Sequence, residues 1–342
     1  MRVRSSERHA SLYSMRGSKA ALGKEVFLPI ALLCAGGCGS RTGFNDGPPS
    51  SAGGSSGTNT PSGVIVTLAS QQLAPSSIAV DSTSVYWTSS DAVVKVPLNG
   101  GMPTTLAMGW QSLAGIAVDS DRVYWTAESD QGPLMSVLLG GGAPVTLASG
   151  QNEPVGVAVD AMSVYWTVAT AVMMLPKTGG AAITLVSGLT DNGPIAVDDT
   201  NVYWTDFRGN VVMIPKTGGQ ATTLASGQGQ PGGVGLDTTR VYWTNSGDSG
   251  AGTVMSVLIV GGAPTTIASG QSLPLGIAVD QTSVYWTDLT NNENGGIVMK
   301  APKFGGPATT LATMRNDPRS IVVDSTSVYW AEYTSIIRLT PK

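Results

Sequence analysis

The chain has 342 residues, of which 42% are hydrophobic and only 12% are charged, so it can bury a large core with few charged groups around it. Its first 62 residues hold seven Lys or Arg against three Asp or Glu, which leaves 12 against 20 for the rest. A basic head on an acidic body argues against nucleic-acid binding, because recognition of phosphates needs a basic patch on the folded part.

Residues 1–38 are predicted to be a secretory signal. A cationic stretch over residues 15–24 precedes an apolar run over residues 26–35, and small residues follow. This order is typical of a signal peptide, and the apolar run is too short to span a bilayer. Met15 would give a signal of ordinary length, so either Met1 or Met15 starts the chain.

The residues that end at Cys38, "AGGC", resemble a bacterial lipobox, in which the Cys receives a lipid and becomes the mature N-terminus. Ala35 stands where that motif most often has Leu. Residues 39–62 are rich in Gly, Ser and Pro and are predicted to be a flexible tether. The sequence therefore predicts an exported protein of the cell envelope, held to the membrane only by a lipid, with its body in the periplasm or at the surface. The alternative is a soluble secreted protein.

Residues 63–342 contain seven copies of one motif, in which an Asp stands six residues before the Trp of a Tyr-Trp pair. The aspartates are Asp81, Asp119, Asp160, Asp198, Asp237, Asp280 and Asp324. The tryptophans are Trp87, Trp125, Trp166, Trp204, Trp243, Trp286 and Trp330. A Gly-Gly pair precedes six of these tryptophans by 25 residues each time, whereas the distance from Trp to the next pair varies from 13 to 19. All insertions therefore fall just after "YWT".

Each repeat contains four short strand-like stretches, for example "GIAVD", "VYWT", "VVMIP" and "TTLAS", with Gly-Gly as a hairpin before the last. Four antiparallel strands with a period near 40 are typical of a propeller blade. Residues 63–70 read as a fourth strand without a blade before it, and the last repeat stops at its third strand. We therefore predict an all-β, seven-bladed β-propeller that is closed by the N-terminal strand and is monomeric.

The order "GIAVD", "VYWTD", Gly-Gly and "TTLAS" resembles the YWTD repeats of the low-density lipoprotein receptor family over residues 63–342. The resemblance implies a propeller. Those propellers typically have six blades, and the final Asp of their motif is present here only as Asp206 and Asp288. Bacterial exported proteins with such repeats look similar in layout.

The repeated aspartates could be read as a calcium or acid–base ring, but each begins a hairpin turn, where a carboxylate accepts hydrogen bonds from its own backbone. The one histidine, His9, precedes the apolar run and leaves the body without an imidazole for general-base or zinc chemistry. No catalytic residue, metal ligand or cofactor is predicted.

The ten residues between the fourth strand and the next first strand align without gaps, and we expect them to share a face with the variable connection after "YWT". The candidate binding residues on that face are Trp110, Glu153, Asp191, Arg315, Asp317 and Arg319. The preferred hypothesis is a non-enzymatic propeller that binds a protein or glycan partner there. The alternatives are a lactonase-like enzyme with carboxylates and a metal in the central channel, and a purely structural envelope component.

Overall fold

The computed structural model describes residues 63–247, 251–289 and 295–342. The signal, Cys38 and the tether lie outside the described residues, as do parts of the two long connections after the fifth and sixth motifs. No helix among the described residues is long and apolar enough to cross a membrane.

The described residues form 28 strands. The first seven are β1 (Val64–Ala69), β2 (Ile78–Val80), β3 (Ser84–Thr88), β4 (Ala92–Pro97), β5 (Thr104–Met108), β6 (Leu113–Val118) and β7 (Arg122–Ala127). The next seven are β8 (Gly132–Leu138), β9 (Val145–Gln151), β10 (Val157–Val159), β11 (Ser163–Val168), β12 (Ala171–Pro176), β13 (Ile183–Ser187) and β14 (Asn192–Val197). The next seven are β15 (Asn201–Asp206), β16 (Asn210–Pro215), β17 (Thr222–Ala225), β18 (Pro231–Leu236), β19 (Arg240–Asn245), β20 (Gly252–Leu258) and β21 (Thr265–Gln271). The last seven are β22 (Pro274–Val279), β23 (Ser283–Asp288), β24 (Gly296–Pro302), β25 (Thr309–Arg315), β26 (Ile321–Val323), β27 (Val328–Glu332) and β28 (Ser335–Thr340).

These strands form seven four-stranded antiparallel sheets, which are the blades of a propeller. Blades 1 to 6 are simple meanders, from β2–β5 in blade 1 to β22–β25 in blade 6. Blade 7 has the order β1-β28-β27-β26, with Val64 opposite Thr340 and Thr67 opposite Ile337. The prediction of seven blades closed by the N-terminal strand is therefore confirmed.

The core is divided into seven clusters, and each cluster joins two neighbouring blades. In the first, Tyr86 of blade 1 packs with Trp125 of blade 2, and both are almost completely buried. The same pairing of a Tyr with the Trp of the next blade recurs around the ring, including Tyr329 of blade 7 with Trp87 of blade 1. Because Leu68 of β1 belongs to this last cluster, the N-terminal strand closes the core as well as the sheet.

The Gly-Gly pairs form the hairpins between the third and fourth strands of blades 1 to 6. At Gly100 and Gly101 the φ angles are 83° and 138°, and both glycines of each other pair also have positive φ. Such angles strain residues with a Cβ atom, so the glycines are needed by the turn itself. The constant spacing from this pair to the next Trp is a property of the fold.

Candidate functional site

The propeller has two faces that differ in sequence. The constant face carries the turns between the first and second and between the third and fourth strands of each blade. The variable face carries the connection between the second and third strands and the join from one blade to the next. Hydrogen bonds tie these two kinds of segment together, as from Phe207 N to Asp191 O (3.0 Å) and from Tyr333 N to Asn316 O (3.0 Å). The insertions and the ungapped joins therefore lie on one face, as expected from the antiparallel strands.

On the constant face, the repeated Asp organises the first turn of each blade. One carboxylate oxygen of Asp81 accepts hydrogen bonds from Thr83 N (2.6 Å) and Ser84 N (2.8 Å), and the other accepts from the Tyr86 hydroxyl (2.8 Å). The same three bonds recur at Asp119, Asp160, Asp198, Asp237, Asp280 and Asp324. These carboxylates thus serve the turn and fix the buried tyrosine.

The pKa values of these groups follow from their contacts. Burial raises the pKa of Asp237, but Lys303 and the turn N–H groups outweigh burial, so its pKa lies well below the usual 3.8. Burial and the hydrogen bond to Asp81 raise the pKa of Tyr86 to about 12. At neutral pH each pair is therefore an ionised carboxylate that accepts a hydrogen bond from a neutral phenol.

At four joins between blades, a Lys of the following blade reaches the repeated Asp of the preceding one. The pairs are Lys177–Asp119 (2.6 Å), Lys216–Asp160 (2.5 Å), Lys303–Asp237 (2.7 Å) and Lys342–Asp280 (2.7 Å). The side chains of Lys303 and Asp237 are only 9% and 13% exposed. Since a mostly buried charge needs its partner, these pairs fix the position of one blade against the next.

The other three joins have an apolar residue where the Lys would stand: Leu98, Leu139 and Ile259. Two of them use a cation of the preceding blade instead, because Lys95 Nζ donates to Leu139 O (2.6 Å) and Arg338 donates to Leu98 O. At the third join, Ile259 packs in the cluster of blades 4 and 5. On the constant face, one blade is therefore held against the next in three different ways.

The Thr of "YWT" connects consecutive blades through a buried hydrogen bond. Thr244 is fully buried, and its hydroxyl donates to Leu275 O (2.7 Å) in the next blade. The same bond is made by Thr88, Thr126, Thr167, Thr205 and Thr287. The seventh motif has Ala331 instead, and Ser320 of that blade accepts a bond from Ile78 N (3.3 Å). Sequence reasoning missed this role, although the repetition of Thr signalled it.

Near the variable face, four of the buried indoles donate to a side chain. The pairs are Trp166 with Gln151 (3.1 Å), Trp243 with Gln228 (3.2 Å), Trp286 with Gln271 (2.9 Å) and Trp330 with Glu332 (2.7 Å). Trp87, Trp125 and Trp204 have no partner for the indole N–H among the described residues. These glutamines stand 15 residues before the Trp, at a position that varies between repeats and reads Gln72, Trp110, Gln151, Leu189, Gln228, Gln271 and Arg315. This variable position therefore lies beside the indole of the following blade.

Two of the candidate binding residues occupy this position and pack inward. Trp110 is half-buried, with its ring centroid 5.5 Å from that of Trp125 in an edge-to-face arrangement. Arg315 donates to Glu332 Oε1 (2.6 Å) and lies over the Trp330 ring at 5.6 Å. These contacts give Trp110 and Arg315 a packing role, and a binding role stays a prediction for both.

The other four candidates lie two residues or more beyond that position. Arg319 and Asp317 are brought together in one ion pair of 2.6 Å at the join of blades 6 and 7. Glu153 and Asp191 lie at the joins of blades 2 with 3 and 3 with 4. Glu153, Asp191 and Asp317 share a left-handed backbone, with φ of 50°, 52° and 55°. Ala74, Ser112 and Gln230 have the same conformation at the equivalent positions of other joins. The left-handed residue therefore belongs to the geometry of the join, which places these three acidic side chains at equivalent points of the ring.

Sequence reasoning missed the buried polar groups of this face. Asp288 is 2% exposed and accepts hydrogen bonds from Ser272 N (3.0 Å) and Leu273 N (2.6 Å). Burial raises its pKa although these bonds lower it. Asp288 is the final residue of "YWTD" in its repeat, and the presence of this Asp is the sequence feature that could have identified it. Asn192, also 2% exposed, donates to Val168 O (2.8 Å), and its Oδ1 has no partner among the described residues.

The central channel has a wall of aliphatic residues from the first strands. Its volume is about 420 Å³, and it is lined by Ile, Val, Ala and Leu, such as Ile78, Val118 and Ile321. The part of the chain that the structure describes contains no group of three or more His, Cys, Asp or Glu placed to hold a metal ion. The carboxylates of the enzyme alternative are therefore not on the channel wall.

No protein-family model matches the chain, and no curated protein matches it. Solved structures do. The RRP9 WD40 repeats superpose with a TM-score of 0.68 at 11% identity, covering 81% of this chain and 97% of theirs. The WD40 β-propeller domain of Doa1 gives 0.64 at 12%, covering 81% and 96%, and the computationally designed Ika8 protein gives 0.60 at 14%, covering 81% and 98%. At these identities the similarity establishes the propeller fold alone.

Proposed function

We propose that this chain is a non-enzymatic β-propeller that binds a protein partner through its variable face. The contrast in loop length carries the proposal. The first turn has three residues in six blades, whereas the connection after the second strand grows from two residues between β11 and β12 to six between β19 and β20 and seven between β23 and β24. Variation confined to one face of a rigid scaffold is typical of binding surfaces.

A protein suits this face better than a glycan. Leu73, Met108, Met314 and Tyr333 are exposed on it and supply apolar contacts for a protein partner. Glycan binding commonly uses an open aromatic platform, but Trp110 has its ring against Trp125.

The proposed location is the cell envelope, with a lipid on Cys38 and the propeller outside the cytoplasm. The support is the sequence alone, through the signal-like head and "AGGC". Metabolic labelling with a palmitate analogue tests it. The native chain should take up label and partition into membranes, whereas Cys38→Ser should not. Equal labelling of both would contradict the lipid site.

Site-specific photocrosslinking tests the binding face, and the chain offers a matched pair of exposed phenylalanines. Phe207 lies on the variable face and Phe304 on the constant face. With benzoylphenylalanine at position 207, cells should yield a discrete crosslinked species that position 304 does not yield. A crosslink only at 304 would place binding on the other face, and none at either would favour a purely structural component.

A further inference from the structure

The net charge of the propeller is confined to one face. The constant face is counted here with Lys95, Lys300 and Arg338, which share one register position on the third strands and of which Lys95 and Arg338 reach constant-face turns. It then holds nine Lys or Arg against nine acids, namely the seven repeated aspartates with Asp121 and Asp199. The variable face holds nine acids against three cations, Arg208, Arg315 and Arg319, counted over the described residues. One face is therefore neutral and the other carries six net negative charges.

The excess is concentrated on one side of the variable face. Two of its three cations are already paired, Arg315 with Glu332 and Arg319 with Asp317. The connections and joins from blade 1 to the join of blades 3 and 4 contain acids and no Lys or Arg. We name this surface the acidic sector, and its acids are Asp91, Glu128, Asp130, Glu153 and Asp191.

An aromatic side chain at the end of the acidic sector also suits a cation. Phe207 is 42% exposed, and its backbone N–H donates to Asp191 O, which places the ring beside the last acid of the sector. The face of an aromatic ring attracts ammonium and guanidinium groups. Carboxylates beside an exposed ring favour a partner rich in charged N–H donors.

We infer that the acidic sector docks a Lys/Arg-rich segment of the protein partner, an inference that rests on the proposed function. The acids are spread over three successive joins and the connections between them, so they match a chain of separated cations better than a single metal ion. Complementary charge of this kind raises the association rate and selects the partner. It also makes binding weaken with salt.

Fluorescence anisotropy of the full chain with labelled octalysine tests the inference. Two isosteric double variants remove the same charge from opposite faces: Asp130→Asn with Asp191→Asn in the acidic sector, and Asp121→Asn with Asp199→Asn on the constant face. All four aspartates are exposed. At low salt the sector variant should bind octalysine about tenfold more weakly than the native chain, and the control less than about twofold more weakly.

The inference is overturned if octalysine does not bind at low salt, if octaglutamate binds equally well, or if the two double variants weaken binding to the same degree. The crosslinking experiment separates this failure from failure of the proposed function. A crosslink at position 207 without octalysine binding would leave the variable face as the binding surface, for a partner that is not cationic. Binding that survives about 0.15 M salt and is lost in the sector variant would support both.

Discussion

Both faces of the propeller carry charged side chains, but the charges have different partners on the two faces. On the constant face, four of the repeated aspartates are paired with a Lys of the next blade, as Asp237 is with Lys303, and the face as a whole is neutral. On the variable face, acids outnumber cations and differ from blade to blade. The comparison shows that the charge repeated with the fold lies at the joins between blades, whereas the charge that departs from the repeat gives the variable face its net negative charge.

The largest effect that separates the faces is expected from acid. The constant-face aspartates, including Asp237 and Asp280, have lowered pKa values in the fold, so their contribution is complete above the unfolded value near 3.8 and is lost as pH falls through the folded values. Urea midpoints measured against pH should hold steady near neutrality and drop steeply below about pH 4. A midpoint unchanged down to pH 2 would contradict the role of the repeated carboxylates.

Stability at high pH tests the same hydrogen bonds through the tyrosine instead of the aspartate. The pKa of Tyr86 is raised to about 12, so stability is complete below the unfolded value of 10 and is lost as pH rises beyond it.

Truncation of one repeated Trp should cost most among single substitutions. Trp286 is fully buried between blades, so Trp286→Ala should lower the free energy of unfolding by about 3–5 kcal/mol. Trp110→Ala is the control, and its half-buried ring should cost clearly less. Equal losses of unfolding free energy in the two variants, measured with urea, would contradict a special role of the repeated Trp in the core.

The ion pair between blades should follow. Asp237→Asn removes the charge partner of a mostly buried Lys303 and should cost about 3 kcal/mol. Asp198→Asn is the matched control, because Asp198 makes the same turn bonds but no described Lys contacts it. It should cost about 1–2 kcal/mol. If both cost the same, the lysines add nothing to the joins.

The buried threonine should have a smaller effect. Thr244→Val keeps the shape but removes the bond to Leu275 O, so we expect a loss of about 1 kcal/mol. Thr223→Val, on the exposed outer strand β17, should change stability by less than about 0.5 kcal/mol. Thermal or urea unfolding of both variants checks the difference, which would vanish if the bond were not formed.

The smallest effect on stability is expected on the variable face. Asp130→Asn with Asp191→Asn should stay within about 0.5 kcal/mol of the native chain, because both side chains are exposed. A large loss in urea unfolding would mean that the acidic sector is part of the framework, and its effect on octalysine binding would then have another cause.

The repeat predicted the fold because the residues of its motif lie close together in the sequence and the motif occurs seven times. The interval from Gly-Gly to Trp fixed the blades, and the unmatched stretches at the two ends predicted the pairing of β1 with β28 that the structure has. Asp81 could be placed in a turn because Asp at the start of a short hairpin has few other uses.

The candidate site was less accessible to sequence reasoning, because it depends on contacts between blades. Variation at the position of Trp110 and Arg315 suggested an open surface, but each side chain is folded against a neighbouring indole. The charge difference between the faces needed the direction of each strand before the acids could be assigned. Conversely, the pairing of Lys303 with Asp237 spans 66 residues and has no local signal.

Hydrogen–deuterium exchange of the full chain with and without octalysine tests the division between the faces most directly. We predict slower exchange in the variable-face segments 88–92, 126–133 and 187–194 and no change in the constant-face turns 97–103 and 176–182. Protection confined to the constant-face turns, or equal on both faces, would contradict the account.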